Sequence, residues 1–140
     1  MTKNIIIIFG FGIVIVAIVA GYLVYANQNK VNLELLVLDK EGRISLDACL
    51  ERGLSDKIIV LESTYCSACK IVIPRLEELE KELGVEIIYL NLSEKDDQDR
   101  AKEFKIWPKW TPTVLIGGEV LIGAYSKEKY KEVIENFLSH

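Results

Sequence analysis

The amino-acid sequence predicts an α/β fold, a mixed β-sheet flanked by helices, preceded by one N-terminal transmembrane helix. A long uncharged apolar run comes first, and short strand-like runs then alternate with stretches of helical spacing. A pair of apolar runs about two glycines indicates a closing hairpin. We therefore divide the chain into residues 1–29, an anchor with its link, and residues 30–140, a single α/β domain.

The anchor is predicted from Ile5–Ala26, 22 residues without a charged side chain. About 20 apolar residues cross a bilayer as a helix. Tyr22 and Tyr25 lie near its end, where aromatic rings favour the interface. A signal peptide cleaved after Val24–Ala26 is the alternative, but its apolar region normally holds ~7–15 residues. We expect an uncleaved single-pass anchor in the lipid bilayer.

The orientation of the run in the membrane is predicted from the length of its N-terminal flank, because the flanking charges do not decide it. Lys3 and the terminal amine precede the run, and Lys30, Lys40 and Arg43 follow it. Positively charged flanks tend to stay in the cytoplasm, but here the two flanks carry nearly equal positive charge. The short N-terminal flank resembles that of an exported protein. We expect a cell-membrane protein with its domain outside the cytoplasm.

The net charge excludes one class of partner. The chain carries 17 basic and 21 acidic residues, for a net charge of −4 at pH 7. It has no basic stripe of the kind that binds nucleic acid, so we expect no nucleic-acid partner. The acidic stretch Ser93–Arg100 is interpreted as a solvated loop and helix start.

The first half of the domain is predicted to be strand, helix, strand. Val31–Asp39 is a partly alternating strand. Ile44–Gly53 is a short helix that Ser45 caps and Gly53 ends. The nearly continuous apolar run Lys57–Glu62 is typical of a central strand.

Five further elements complete the order. Helical spacing over Ala68–Leu83, with Pro74 inside, ends at Gly84. A strand, a helix, a hairpin about Gly117-Gly118 and an amphipathic helix that Ser126 caps then follow. Their predicted ranges are Val85–Leu92, Asp97–Phe104, Thr113–Tyr125 and Ser126–Leu138.

The motif Cys66-Ser67-Ala68-Cys69 lies between the central strand and the second helix. A zinc site needs four ligands, and the other thiol and imidazole are only Cys49 and His140, so we expect no metal. A structural disulfide across so short a loop would stabilise weakly. Redox chemistry is the third use of this motif, and its strand–turn–helix context is present.

A helix N-terminus supplies the physical reason for redox chemistry. Its unpaired N–H groups and dipole stabilise a thiolate, whose pKa falls from ~8.5 to about 3.5–7.5. Cys66, at the exposed edge, is the expected nucleophile. Cys69, one turn into the helix on the same face, is the expected resolving cysteine.

At these residues the sequence resembles the thioredoxin superfamily, over roughly Val31–His140. Four features carry the resemblance: the cysteine motif, a proline five residues after it, a Thr-Pro-Thr segment, and a hairpin with a last helix. In chain order they are Cys66-Ser67-Ala68-Cys69, Pro74, Thr111-Pro112-Thr113 and Gly117–Leu138, which includes Gly123.

The resemblance implies a thioredoxin-like fold and the activity of a thiol–disulfide oxidoreductase. It implies a redox-active disulfide Cys66–Cys69 with no other cofactor, and protein disulfides or dithiols as substrates. Pro112 would be cis and face Cys66, and the backbone of Thr111 would pair with substrate. A membrane or soluble redox partner would exchange electrons with the disulfide.

Three departures from the family pattern surround the motif. Val60 stands where many thioredoxins have a buried acid, Tyr65 replaces a tryptophan, and Ser67-Ala68 replaces Gly-Pro. Glu62 is the nearest candidate acceptor for a proton of Cys69. A carboxylate at the end of a strand is more often simply solvated.

Three other residues have two interpretations each. Cys49 lies on an apolar face and is expected to be a buried free thiol, with regulation of Cys66 as the alternative. Trp107 and Trp110 either rim the site near Pro112 or pack their loop onto the core.

The sequence therefore predicts a membrane-anchored thiol–disulfide oxidoreductase. Two alternatives stay open. The same fold could act as a disulfide oxidase or isomerase, or Cys66 and Cys69 could hold a soft metal ion in a non-enzymatic module.

Overall fold

The structure, a computed structural model, describes residues 18–22 and 33–139. Residues 18–22 are helical and exposed, and the rest of the predicted anchor Ile5–Ala26 lies outside the described residues. Among the residues that the structure describes, no helix is long and apolar enough to cross a bilayer. A separate compact unit begins at Glu34, and it contains every element named below.

This unit alternates short strands with four helices. In chain order its elements are β1 (Leu36–Leu38), β2 (Gly42–Arg43), α1 (Leu46–Glu51), β3 (Ile58–Glu62), α2 (Cys69–Leu83), β4 (Ile87–Asn91), α3 (Lys95–Glu103), β5 (Ile106–Pro108), β6 (Thr113–Ile116), β7 (Glu119–Ile122) and α4 (Lys127–Leu138).

The main sheet has five strands in the order β2-β7-β6-β3-β4. β3 is parallel to β4 and antiparallel to β6, so that Val60 lies between Tyr89 and Val114. β1 and β5 pair in parallel in a separate two-stranded sheet. The predicted mixed α/β fold is therefore confirmed.

The apolar run of β3 is continuous because both faces of this central strand are covered. Ile58 and Val60 pack in a cluster with residues of α2 and α4, whereas Ile59 and Leu61 pack in a second cluster on the other face. All four side chains are buried. The end of β3 is consequently held from two sides, and the segment that leads to Cys66 starts from this support.

Local sequence signals determine where the helices begin and end. The hydroxyl oxygen of Ser126 accepts a hydrogen bond from the N–H of Lys129 at the start of α4, and Ser45 caps α1 in the same way. Gly84, with φ of 65°, ends α2 in the left-handed conformation that glycine adopts readily. Pro74 lies within α2, as predicted.

Three details of the predicted order are wrong. The first strand is shorter than the predicted Val31–Asp39. Among the described residues of that range, only Leu36–Leu38 pair with β5. β2 and β5 were not predicted: β2 has two residues, and β5 includes Pro108, which has no N–H to donate to a neighbouring strand. α3 begins at Lys95, two residues before the predicted start.

Candidate active site

The cysteine motif lies in the turn between β3 and the first residue of α2. The N–H of Cys66 donates to the carbonyl of Ser63 at 3.0 Å. The hydroxyl of Ser93, after β4, lies 3.1 Å from the Ser63 hydroxyl and accepts from the N–H of Thr64 at 3.1 Å. These bonds fix the turn to the neighbouring loop, so Cys66 is presented at a defined position.

Cys66 and Cys69 form a disulfide, with their Cα atoms 5.2 Å apart. Cys66 is half-buried and Cys69 is 2% exposed. The N–H of Cys69 points at the Cys66 sulfur, with 3.0 Å between the nitrogen and Sγ. When the disulfide is reduced, a negative charge on Cys66 would strengthen this hydrogen bond and face the positive end of α2.

A loop distant in sequence completes the surroundings of Cys66. The carbonyl oxygen of Thr111 lies 3.3 Å from the Cys66 sulfur, and the Thr111–Pro112 peptide bond is cis. The N–H of Gly123 donates to the Pro112 carbonyl at 2.8 Å, and the Thr113 hydroxyl donates to the carbonyl of Trp110 at 2.6 Å. Pro112 is buried, so the loop is fixed by its burial, by one hydrogen bond from Gly123 and by one within the loop.

The two tryptophans near this loop have different environments. Trp110, directly before Thr111, is 60% exposed. Tyr65, directly before Cys66, is 91% exposed. Trp107 is half-buried and packs against the core cluster that contains Ile106. Packing onto the core therefore applies to Trp107, whereas the side chain of Trp110 is exposed.

A cleft lies beside Cys69. It has a volume of about 400 Å³ and is lined by residues of β3, the turn and α2: Glu62, Ser63, Thr64, Cys69, Lys70, Ile73, Pro74 and Glu77. Burial raises the pKa of the Glu62 carboxyl, and the negative charges of Asp97 and Glu77 raise it further. Val60, where the family places an acid, is fully buried among apolar neighbours.

Cys49 is a buried free thiol, as predicted, and is 3% exposed. It contacts the hairpin turn so closely that a Cβ added to Gly118 would lie 2.8 Å from its sulfur. Burial raises the pKa of the Cys49 thiol. Its thiolate is therefore scarce near neutral pH.

The structure brings together all four predicted site residues, Cys66, Cys69, Thr111 and Pro112. Sequence reasoning missed the supporting roles of Ser93 and Gly123. Ser93 is the first residue of the acidic stretch Ser93–Arg100, which is interpreted above as a solvated loop and helix start. Nothing in the sequence of that stretch indicates the contact of Ser93 with the turn. Among the described residues, no group of three or more metal-ligating side chains could hold an ion.

Comparison with known proteins finds thioredoxins among the relatives of this chain. No protein-family model matches the chain. Thioredoxin of Listeria monocytogenes serovar 1/2a is 29% identical over 99 residues, which cover 66% of this chain and 94% of that protein. Thioredoxin of Bacillus subtilis strain 168 is 30% identical over 77 residues, covering 53% of this chain and 74% of that protein.

A solved structure of chloroplastic thioredoxin z has 15% sequence identity and a TM-score of 0.48, and the alignment covers 78% of this chain and all of that one. The disulfide at a strand–helix junction and the sequence relatives define a thiol–disulfide oxidoreductase. The chain belongs to the thioredoxin superfamily. The predictions of the family, of the enzyme class and of a redox-active Cys66–Cys69 disulfide are confirmed.

The three thiols of the reduced full-length protein should react with iodoacetamide at different rates near neutral pH. Cys66 should be labelled at least about tenfold faster than Cys49, because the helix N-terminus favours its thiolate whereas burial raises the pKa of Cys49. Cys69 should also be slow, since it is 2% exposed. Peptide mass spectrometry measures the rates, and denatured protein, in which these differences should vanish, is the control. Equal labelling of Cys66 and Cys49 in the folded protein would contradict this assignment.

Proposed function

We propose that the protein exchanges disulfides with protein substrates, using Cys66 as the attacking thiolate and Cys69 as the resolving thiol. One observation carries the proposal: the N–H of the first residue of α2 lies 3.0 Å from the Cys66 sulfur. This hydrogen bond is made to the sulfur of Cys66, which also lies at the positive end of the helix. The more exposed sulfur is thus also the better stabilised as an anion.

The exchange proceeds by two successive displacements, each an attack by a thiolate on a disulfide sulfur. The Cys66 thiolate forms a bond to one sulfur of the substrate disulfide, and the second substrate sulfur leaves as a thiolate. Cys69, after losing its proton, then bonds to Cys66 and releases the first substrate sulfur. The enzyme dithiol becomes a disulfide and the substrate becomes a dithiol. A redox partner, membrane-bound or soluble, returns the enzyme to the dithiol by the same chemistry.

Thr111 and Pro112 are proposed to bind the substrate chain. The ladder between β6 and its two neighbours begins at Thr113, so the Thr111 backbone is not paired within the sheet. Its carbonyl lies beside the Cys66 sulfur. An extended substrate segment that hydrogen-bonds to this backbone would carry its own sulfur to Cys66, and pairing through main-chain atoms would tolerate many substrate sequences.

We further propose that residues 1–29 anchor the protein in the cell membrane and that residues 30–140 act as a domain outside the cytoplasm. The support is the uncharged run Ile5–Ala26, which is long enough for one crossing. In such a compartment disulfides form and persist, so protein substrates for this chemistry are available.

Substitution of each active-site cysteine should separate the two displacements. Cys66→Ser should abolish reduction of insulin disulfides, because no thiolate remains to attack. Cys69→Ser should permit the attack and accumulate mixed disulfides, which non-reducing gel electrophoresis detects. Cys49→Ala is the matched control and should retain activity within about twofold, since that thiol lies outside the site. Turnover by Cys66→Ser comparable to that of the unaltered protein would refute the assignment.

Membrane attachment should survive extraction that removes peripheral proteins. After a carbonate or high-salt wash, the full chain should remain in the membrane fraction, because a 22-residue apolar helix partitions stably into lipid. Protease added to spheroplasts should digest the domain. Release into the wash would contradict the anchor, and digestion only after lysis would place the domain in the cytoplasm.

A further inference from the structure

The resolving step requires a proton to leave a buried thiol. Cys69 is 2% exposed, and burial disfavours the charged form of a thiol. The helix-terminal N–H group that faces the motif is directed to Cys66 instead. A thiolate at Cys69 would therefore form slowly without a base close to its sulfur.

The cleft beside Cys69 contains one half-buried carboxylate, that of Glu62. Glu62 is the last residue of β3, and strand alternation directs its side chain to the same face as Ile58 and Val60. That face is covered by α2, whose first residue is Cys69. The end of the strand and the start of the helix thus line the same cleft, whose volume of about 400 Å³ is large enough to admit water.

Other charged or titratable groups near Glu62 are less suited to the task. Asp97 of α3 accepts hydrogen bonds from the N–H of Asn91 and from Arg100. Glu77 and Lys70 of α2 line the cleft but are exposed.

On the β4 side, the Tyr89 hydroxyl is buried without a hydrogen-bond partner among the described residues. Burial, and secondarily nearby carboxylates that include Glu62, raises the Tyr89 pKa, so this phenol stays neutral. Burial is the main reason that the pKa of Glu62 is raised, and the negative charges of Asp97 and Glu77 raise it further. A carboxyl whose pKa approaches that of a thiol exchanges protons with it more readily.

We propose that Glu62 is the proton acceptor for Cys69 when the mixed disulfide is resolved. The Cys69 proton passes to the Glu62 carboxylate, directly or through one water, while the sulfur electron pair forms the bond to Cys66. The bond between Cys66 and the substrate sulfur breaks, and that sulfur leaves as a thiolate. In the reverse reaction Glu62 returns the proton to Cys69. This role rests on the proposed functions of Cys66 and Cys69.

A dithiobis-nitrobenzoate dye separates the two steps in one experiment. The reduced full chain, in detergent and carrying Cys49→Ala, is mixed with one equivalent of dye in a stopped-flow instrument. Attack by Cys66 releases the first coloured thiolate, and attack by Cys69 releases the second. In Glu62→Gln the first phase should be unchanged and the second should slow by at least about tenfold, the lower end of what general base catalysis supplies. Glu62→Asp should recover part of the second rate.

The pH dependence gives a readout that a structural defect would not reproduce. The second phase should accelerate as pH rises through the Glu62 pKa, since only the ionised carboxylate accepts a proton, and Glu62→Gln should lose this step. Glu77→Gln is the matched control in the same cleft. This substitution removes a negative charge that raises the Glu62 pKa, so the pH at which the second phase accelerates should fall. The rate of the second phase at pH values above that transition should stay the same.

The possible failures are distinct. A second phase that is equally fast and equally pH-dependent in Glu62→Gln would overturn the role of Glu62 and leave the proposed function intact. Slowing of both phases in Glu62→Gln would overturn it as well, since it would indicate a structural effect. Absence of the first phase in the protein with Glu62 intact would instead refute the proposed role of Cys66.

Discussion

The hydrogen bond from the Cys69 N–H to the Cys66 sulfur is the interaction on which the site depends. It exists because a helix begins at the second cysteine of the motif and leaves its first N–H groups without intrahelical partners. The same geometry makes the two cysteines chemically unequal. One sulfur is half-buried and faces the helix N-terminus, and the other is enclosed beneath it.

The remainder of the domain holds this junction in place. The central strand β3 is covered on both faces, so its end is a fixed point from which the turn departs. Ser93 attaches the turn to the loop after β4, and Gly123 attaches the Thr111–Pro112 loop to the hairpin. The separate supports converge on Cys66, with the Thr111 carbonyl 3.3 Å from its sulfur.

Features determined by adjacent residues could be predicted from the sequence, and those determined by distant contacts could not. The strand–turn–helix context of Cys66 is local, and so are the caps at Ser45 and Ser126. The approach of Thr111 to Cys66 joins residues 45 positions apart, and only the family resemblance indicated it. The environment of Glu62 needs Asp97 from α3, and no sequence pattern connects the two. The short strands β2 and β5 depend on their neighbours more than on their own composition.

The thiolate pKa of Cys66 tests the central claim most directly. The ultraviolet absorbance of thiolate in the reduced full chain should be titrated against pH, with Cys66→Ser as the reference from which the contribution of Cys66 follows by difference. The helix N-terminus predicts a transition within about 3.5–7.5, well below the ~8.5 of a free cysteine. A Cys66 that titrates at or above ~8.5 would contradict the account, because the N–H of Cys69 and the helix dipole would then have no effect on the thiolate.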